Sequence, residues 1–395
     1  MKIIYLHQYY NNPNMSGSTR SYEMAKRLVK MGHEVHIITS TRGFHVSKKI
    51  TIEDGIIVHW IKVDYSNYMS FYRRLYSFFA FAFISFICAI RIKGDLIFAT
   101  STPLTIALPG VAASKWLKIP FFFEVRDLWP TVPIAMGQIK NRFVIYISKK
   151  LELFAYNNAR GIIALSDDIK EGIVKLGIIQ AKVTVIPNAC DLNLFNHLKN
   201  KKYLFRKKYG FSNEIIILYP GTIGMVNHVE WLVKLCFELK ANPMFKVVVV
   251  GDGIEKDKVL SMAQNLEVLG KNFFIIKSVS KTCITEYFEM ADFIISTILP
   301  IKELEANSAN KFFDALSSGT PVLVNHGGWQ AELIRKKNCG IPLPFDVSKA
   351  AKLLEGVNEI EEKVIKMGLN ARKLAEDKFS RDSLVFNLEQ VLFKK

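Results

Sequence analysis

Short apolar runs alternate with amphipathic stretches along this chain, and the alternation has the rhythm of an α/β protein. Residues 2–6 (KIIYL) read as a strand, 20–31 as a helix stopped by Gly32, and 34–39 as a second strand. This β-α-β unit has short apolar strands, which imply a parallel sheet buried on both faces. Residues 50–63 alternate around Asp54-Gly55, the pattern of a hairpin. Strands follow at 95–100, 121–125, 161–165 and 183–186, with helices at 104–116, 145–158 and 169–176 between them. The basic run at 199–208 reads as a linker. A second series then begins, with strands at 214–219, 245–250, 273–276, 292–296 and 321–324, helices at 230–239 and 256–269, a short one around Glu286, and a mostly helical tail from 349. The expectation is an α/β protein of two consecutive halves, each with its own β-loop-helix start. Its length of 395 residues agrees, being too long for one ordinary core.

The most informative stretch is 305–325, EANSANKFFDALSSGTPVLVN. Asn307, Ser308, Ala309 and Asn310 open a helix whose apolar face is Phe312, Phe313, Ala315 and Leu316, and Ser317-Ser318-Gly319 stops it. A helix start leaves backbone N–H groups unpaired and exposes the positive end of the dipole, so it suits a phosphate. Lys311 would add a cation, and Asp314, one turn on, could accept hydrogen bonds from ribose hydroxyls. An ordinary capped helix fits the same residues. Earlier in the chain, Gly17-Ser18 precedes a helix at a strand's carboxyl end, where open α/β sheets bind ligands. It is not a GxGxxG, and a plain cap at Ser18 is the alternative.

Charge changes the picture next. The formal net charge is +17, and residues 1–195 hold 24 Lys and Arg against 13 Asp and Glu. Such an excess implies a polyanionic partner: nucleic acid, phosphorylated substrate or anionic membrane. Residues 75–90 (LYSFFAFAFISFICAI) carry no charge, lie between arginines, and span about 24 Å at 1.5 Å per residue, short of a hydrocarbon core. Five phenylalanines and a basic collar favour a helix pressed into a membrane interface; a buried helix of an α/β domain is the alternative. Five scattered cysteines without CxxC spacing give neither a disulfide framework nor a zinc site, and suit a reducing cytoplasm. Residues 1–4 run straight into a strand, so no signal peptide is expected.

The ordered set of motifs carries a resemblance. Val185-Ile186-Pro187-Asn188-Ala189-Cys190-Asp191 with Phe195, then Pro220-Gly221-Thr222-Ile223-Gly224, Gly251-Asp252-Gly253, Ala291-Asp292, residues 310–321, and Cys339-Gly340 with Asp346 resemble the family 4 retaining glycosyltransferases, over nearly the whole chain. Glu124-Val125-Arg126-Asp127-Leu128-Trp129-Pro130 with residues 308–314 is similar to a narrower subgroup that builds O-antigen and capsule repeat units, including N-acetyl-L-fucosamine transferases. The resemblance implies the GT-B architecture, two Rossmann-like domains facing across a cleft. Residues 1–198 would be the acceptor side, 199–378 the nucleotide-sugar donor domain, and 379–395 a helix packing back on the N-terminal domain. It also implies no metal and no cofactor beyond the nucleotide-sugar co-substrate, and no Asp-x-Asp is placed to hold a divalent cation. Three departures stand out. The family's second glutamate falls on Asp314 and its first on Ala306, so Glu305, Glu303, Asn307 or Ser308 would stand in. Thr222 and Asn227-His228 occupy the usual Arg and Lys positions. Ala189 replaces a glycine.

The reading that follows is sugar transfer from a nucleoside diphosphate donor, UDP by expectation, to a lipid-linked saccharide at the inner face of the cell membrane. Catalytic candidates are Asp127, Arg126 and Lys311; donor-binding candidates are Gly17, Ser18, Thr222, Asn307, Ser308, Asn310 and Asp314. Asp127 would orient the acceptor hydroxyl or donor sugar, although it could simply cap the next segment, and Arg126 could simply pair with Glu124. Partners are a nucleotide sugar, a lipid-linked saccharide and an anionic membrane surface, with no nucleic acid. The rivals are a GT-B-type UDP-sugar 2-epimerase and a non-enzymatic polyanion binder; no basic-aromatic RNA module supports the latter.

Overall fold

The computed structural model describes residues 1–15, 17–41, 49–64, 69–195, 201–356 and 361–393. Contacts divide the chain into two compact units. Met1–Asn12, Ser18–Pro187 and Asp382–Lys395 form the first; Pro13–Gly17 and Asn188–Arg381 form the second.

The first unit is built on eight strands: β1 (Lys2–Leu6), β2 (Glu34–Ser40), β3 (Ile50–Glu53), β4 (Ile56–Ile61), β5 (Leu96–Thr100), β6 (Phe121–Val125), β7 (Gly161–Ala164) and β8 (Val183–Val185). Their order is β3-β4-β2-β1-β5-β6-β7-β8. Every pairing is parallel except β3 with β4, the hairpin expected around Asp54-Gly55. All residues of β5, β6 and β7 are buried, because helices cover both faces of a parallel sheet. The helix Arg381–Phe393 also belongs here: His33 Nε2 lies 2.9 Å from Glu389 Oε1, its ring stacks on Phe393, and Arg27 Nε donates to Asp382 Oδ1 at 2.5 Å.

Two expectations need correction. The apolar helix is Phe71–Ile92, 22 residues and about 33 Å, rather than the 16 uncharged residues counted from the sequence. Arginine is a good helix former, so the charged ends extend the helix. By length and composition it could cross a membrane. It nevertheless packs on the first sheet, burying Phe81, Ala82, Ser85 and Ala89. Likewise, the basic run at 199–208 is not simply a linker. Its first two residues lie outside those described, but Lys202–Lys208 is a helix of the second unit. Buried Arg206 is the reason: its Nη2 donates to Asp292 Oδ2 at 2.5 Å and its Nε to Met290 O at 3.0 Å.

The second unit holds six parallel strands: β9 (Ile215–Pro220), β10 (Phe245–Val250), β11 (Phe273–Ile276), β12 (Phe293–Ser296), β13 (Val322–Val324) and β14 (Gly340–Pro342). Their order is β11-β10-β9-β12-β13-β14. Two apolar cores sandwich this sheet. Ile216, Leu218, Val248, Val250, Ile294, Val322 and Val324 face one; Ile217, Tyr219, Val247, Val249, Ile295 and Leu323 face the other. That two-sided burial explains runs such as KVVVV, apolar at successive positions rather than alternate ones. Because all six strands run one way, the loops after β9, β10, β12 and β13 gather at one end.

Candidate active site

In the second unit the loops at the carboxyl ends of the strands interlock through backbone. Gly221 N donates to Val250 O at 3.0 Å, Ile223 N to Asp252 O at 2.9 Å, and Gly251 N to Ile276 O at 3.0 Å. The approach is too close for a side chain: a Cβ on Gly251 would stand 1.8 Å from Gly221 O, and one on Gly253 would stand 2.3 Å from Ile223 O. Asn325 ties in the loop after β12, its Oδ1 accepting from Ile298 N at 2.9 Å and its Nδ2 donating to Ile298 O at 3.2 Å.

The helix Asn310–Ser318 starts over this floor. Ala309 is its N-cap and makes no side-chain cap, so the first-turn N–H groups get no help from a side chain there. Phe312, Phe313, Ala315 and Leu316 fasten the helix into the core, as the apolar spacing predicts. That fixes Lys311, whose Nζ donates to Tyr219 Oη at 2.9 Å and to Asn227 Oδ1 at 3.4 Å. The ammonium also lies 4.1 Å from the centre of the Tyr219 ring. Gly221 completes the arrangement, since a Cβ there would come within 3.3 Å of Lys311 Cε. Burial pushes the Lys311 ammonium down to about 7.

Thr222 O accepts from Tyr219 Oη at 2.8 Å, which links Thr222 to Lys311 through one phenol. Asp314 is ion-paired with Lys281, Nζ to Oδ2 2.5 Å. Asn307 O accepts from Trp329 Nε1 and Gln330 Nε2, both at 3.0 Å, and is held by the next helix. Asn310 is half-buried at the helix start. Ser308 is buried, its Oγ accepting from Asn188 N at 3.4 Å and its carbonyl bonded by the Asn188 amide. Its hydroxyl is thus taken up in anchoring the Pro187-Asn188 motif. Gly17 is exposed, with φ 122°. Ala306 is buried. Neighbouring Glu305 instead turns its carboxylate toward the loop His326-Gly327-Gly328, where a Cβ on Gly327 would be 3.0 Å from Glu305 Oε1. Burial lowers His326, while its carbonyl contact at Gly327 and the charge of Glu305 act in the opposite direction.

In the first unit, the carboxyl ends of β1, β5 and β6 meet. Arg20 is buried, its Nε and Nη2 donating to Glu124 Oε1 at 3.0 and 2.8 Å and its remaining N–H groups to Ile186 O and Pro187 O at 2.9 and 2.6 Å. Thr100 Oγ1 donates to Glu124 Oε2 at 2.6 Å. Burial alone would raise the Glu124 carboxyl; the charge and hydrogen bonds of Arg20 prevail and hold it low. Glu124 therefore pairs with Arg20 rather than Arg126. Arg126 is released toward Ser18, Nη2 to Oγ 3.3 Å, so these two sequence candidates do come together. Asp127 follows, exposed to solvent. His7 is buried against Ser21, Nδ1 to Oγ 2.8 Å, which leaves it structural.

Sequence reasoning missed Tyr219, Lys281, His326 and the Arg20–Glu124 pair as parts of these sites. Tyr219 ends a strand and Arg20 begins a helix, and only tertiary proximity reveals their partners. Among the described residues no group of three His, Cys, Asp or Glu is arranged to hold a metal ion.

Two family matches cover most of the chain. Residues 17–194 match Glycosyltransferase Family 4 and residues 201–374 match Glycosyl transferases group 1. Among curated proteins, the chain is 26% identical over 360 residues to the alpha-monoglucosyldiacylglycerol synthase of Streptococcus pneumoniae, covering 87% of this chain and 76% of that protein. It is 22% identical over 407 residues to the N-acetyl-alpha-D-glucosaminyl L-malate synthase of Bacillus anthracis, covering 96% and 94%. Its fold superposes on Anabaena HepE, solved in complex with UDP-glucose, with a TM-score of 0.74 at 16% identity and full coverage of both chains. The chain is thus built of glycosyltransferase domains, family 4 over residues 17–194 and group 1 over residues 201–374, on the GT-B fold.

Proposed function

We propose that this protein transfers a sugar from a UDP-linked donor, with retained anomeric configuration, to a lipid-linked saccharide in bacterial surface polysaccharide assembly. The observation that carries the donor half is the helix start at Asn310–Ser318, uncapped by any side chain and carrying Lys311 over the Gly221 loop. The diphosphate sits at this helix tip, where N–H groups and Lys311 meet the negative charge that grows as the bond to the sugar breaks. Asp314 receives the ribose hydroxyls, with Lys281 moving aside. Glu305 stands in for the carboxylate missing at Ala306 and faces the donor sugar. The acceptor hydroxyl attacks the same face from which the diphosphate leaves, and its proton goes to the departing phosphate oxygen. Arg126, Ser18 and Asp127 act from the N-terminal domain, residues 1–198, and residues 199–378 carry the donor. Support for UDP comes from the HepE likeness, and support for a lipid acceptor from the diacylglycerol product named for the pneumococcal relative. The similarity of residues 124–130 and 308–314 to N-acetyl-L-fucosamine transferases makes UDP-N-acetyl-L-fucosamine the first donor to test. The epimerase and polyanion-binder readings are not favoured, since both matched domains are glycosyltransferase domains.

The test is a panel of UDP-sugars assayed with lipid-linked saccharide acceptors and UDP as competitor. One donor should turn over only when acceptor is present. Lys311→Ala should cut turnover by roughly 100-fold or more, the scale of losing one charged donor at a developing anion. Acceptor-independent conversion of the donor would point to an epimerase, and near-normal activity of the variant would remove the phosphate role.

A further inference from the structure

The helix Arg142–Asn158 buries Ala155 and Tyr156, yet it leaves large apolar side chains on its outer face. Its residues at helical spacing, Phe143, Tyr146, Ile147 and Phe154, are exposed, Phe143 by 70%. Its polar Ser148 and Glu152 face inward instead and are buried, with Tyr156 Oη donating to Glu152 Oε1 at 3.1 Å. A water-facing helix buries its apolar stripe; this one leaves much of its own exposed.

The display continues across two neighbours. The helix Ala107–Leu117 packs between Arg142–Asn158 and Phe71–Ile92. Lys115 Nζ lies over the Phe154 ring at 5.9 Å, and Trp116, 69% exposed, meets Phe86 edge-on at 6.3 Å. On Phe71–Ile92, Tyr76, Phe79 and Phe83 are exposed in turn. Charge completes the pattern. The three helices contain no Asp or Glu except the buried Glu152, yet they carry Arg73, Arg91, Lys115, Arg142, Lys149 and Lys150. An apolar aromatic surface of this extent, on helices whose described exposed charges are all cationic, is complementary to an anionic bilayer.

We propose that these three helices form one membrane-docking face, and that the helix Arg142–Asn158 inserts its exposed Phe143-Tyr146-Ile147 stripe into the interfacial zone of an anionic lipid bilayer. This rests on the membrane-surface reading above and extends it from one helix to three. Lys149 and Lys150 sit against the headgroups while the aromatic side chains reach the acyl boundary.

The test is sedimentation of the full chain with vesicles of phosphatidylcholine containing roughly 30% phosphatidylglycerol, an anionic surface of the required sign. The triple variant Phe143→Ser, Tyr146→Ser, Ile147→Ser should lower the partition coefficient roughly tenfold or more, and Lys149→Glu with Lys150→Glu by a similar factor that shrinks at high salt. UDP affinity and thermal unfolding serve as controls and should stay as in the wild type, so failure of the donor reading and failure of this one are separate results. Unchanged partitioning by a folded triple variant overturns the proposal. So does equal wild-type binding to neutral vesicles. A dimer of the wild type that becomes a monomer in the triple variant, with vesicle binding retained, would reassign the face to self-association.

Discussion

Lys311 is buried among Tyr219, Asn227 and the Gly221 loop without a carboxylate among its bonded partners, an arrangement that costs stability. Its ammonium falls to about 7 in the fold, from an ordinary value of 10.5. Below about pH 7 it is charged both folded and unfolded, and the penalty of burying a charge is present in full. Between about 7 and 10.5 the unfolded chain holds the extra proton, so stability rises with pH across that window. Lys311→Met removes the penalty. Thermal unfolding at pH 6 should find this variant more stable than the wild type, by about 2 kcal/mol or more, and without the rise above pH 7. A purely structural lysine would give the opposite sign, destabilisation on replacement. The gain in stability accompanying a loss of activity would mark the residue as kept for its chemistry.

Among elements, the loops after β9 and β10 are the most constrained. Their glycines exist because backbone meets backbone, with Gly221 O where a Cβ of residue 251 would go. No side chain can rotate away from such a contact, so Gly251→Ala must part the two loops and shift Gly221 from beneath Lys311. We expect a loss of about 2–4 kcal/mol in unfolding free energy, the range of strain and overpacking in a close-packed site, with UDP binding lost even where the variant folds. Native-like stability together with native UDP affinity would show that the interlock does not support the site. The helix Arg142–Asn158 is the other element that stands apart, because Phe143, Tyr146 and Ile147 stand exposed on it while Ser148 and Glu152 are buried.

Taken over the whole molecule, much of the architecture was legible beforehand. Two α/β halves, the β3–β4 hairpin and the parallel strands follow from apolar runs whose burial on both faces leaves no alternation to misread. The helix carrying Lys311 was legible from the apolar spacing of Phe312, Phe313 and Leu316 and from the glycine that ends it. What escaped was tertiary. Charge run alone suggested a linker at 199–208, whereas Arg206 is drawn into the fold by Asp292, 86 residues away. Counting uncharged residues shortened Phe71–Ile92, because arginines that end an apolar run need not end a helix. Glu124 sits two residues from Arg126, yet its partner is Arg20, 104 residues earlier, because β6 ends at Val125 and Arg126 already lies in the following loop, where it turns to Ser18. Lys281 and Tyr219, which hold Asp314 and Lys311, carry no local signature at all.

If Lys311 at the helix tip receives the nucleotide's diphosphate, calorimetric titration of UDP into the full chain at pH 8, in two buffers of different ionisation heat, reads the binding as proton uptake. Because free Lys311 is largely neutral at that pH and bound Lys311 must be charged, the wild type should take up close to one proton per UDP, with affinity falling by up to roughly tenfold per pH unit above about 7. Lys311→Met should bind far more weakly and take up none. UDP binding to that variant with wild-type affinity and the same proton uptake would contradict the claim.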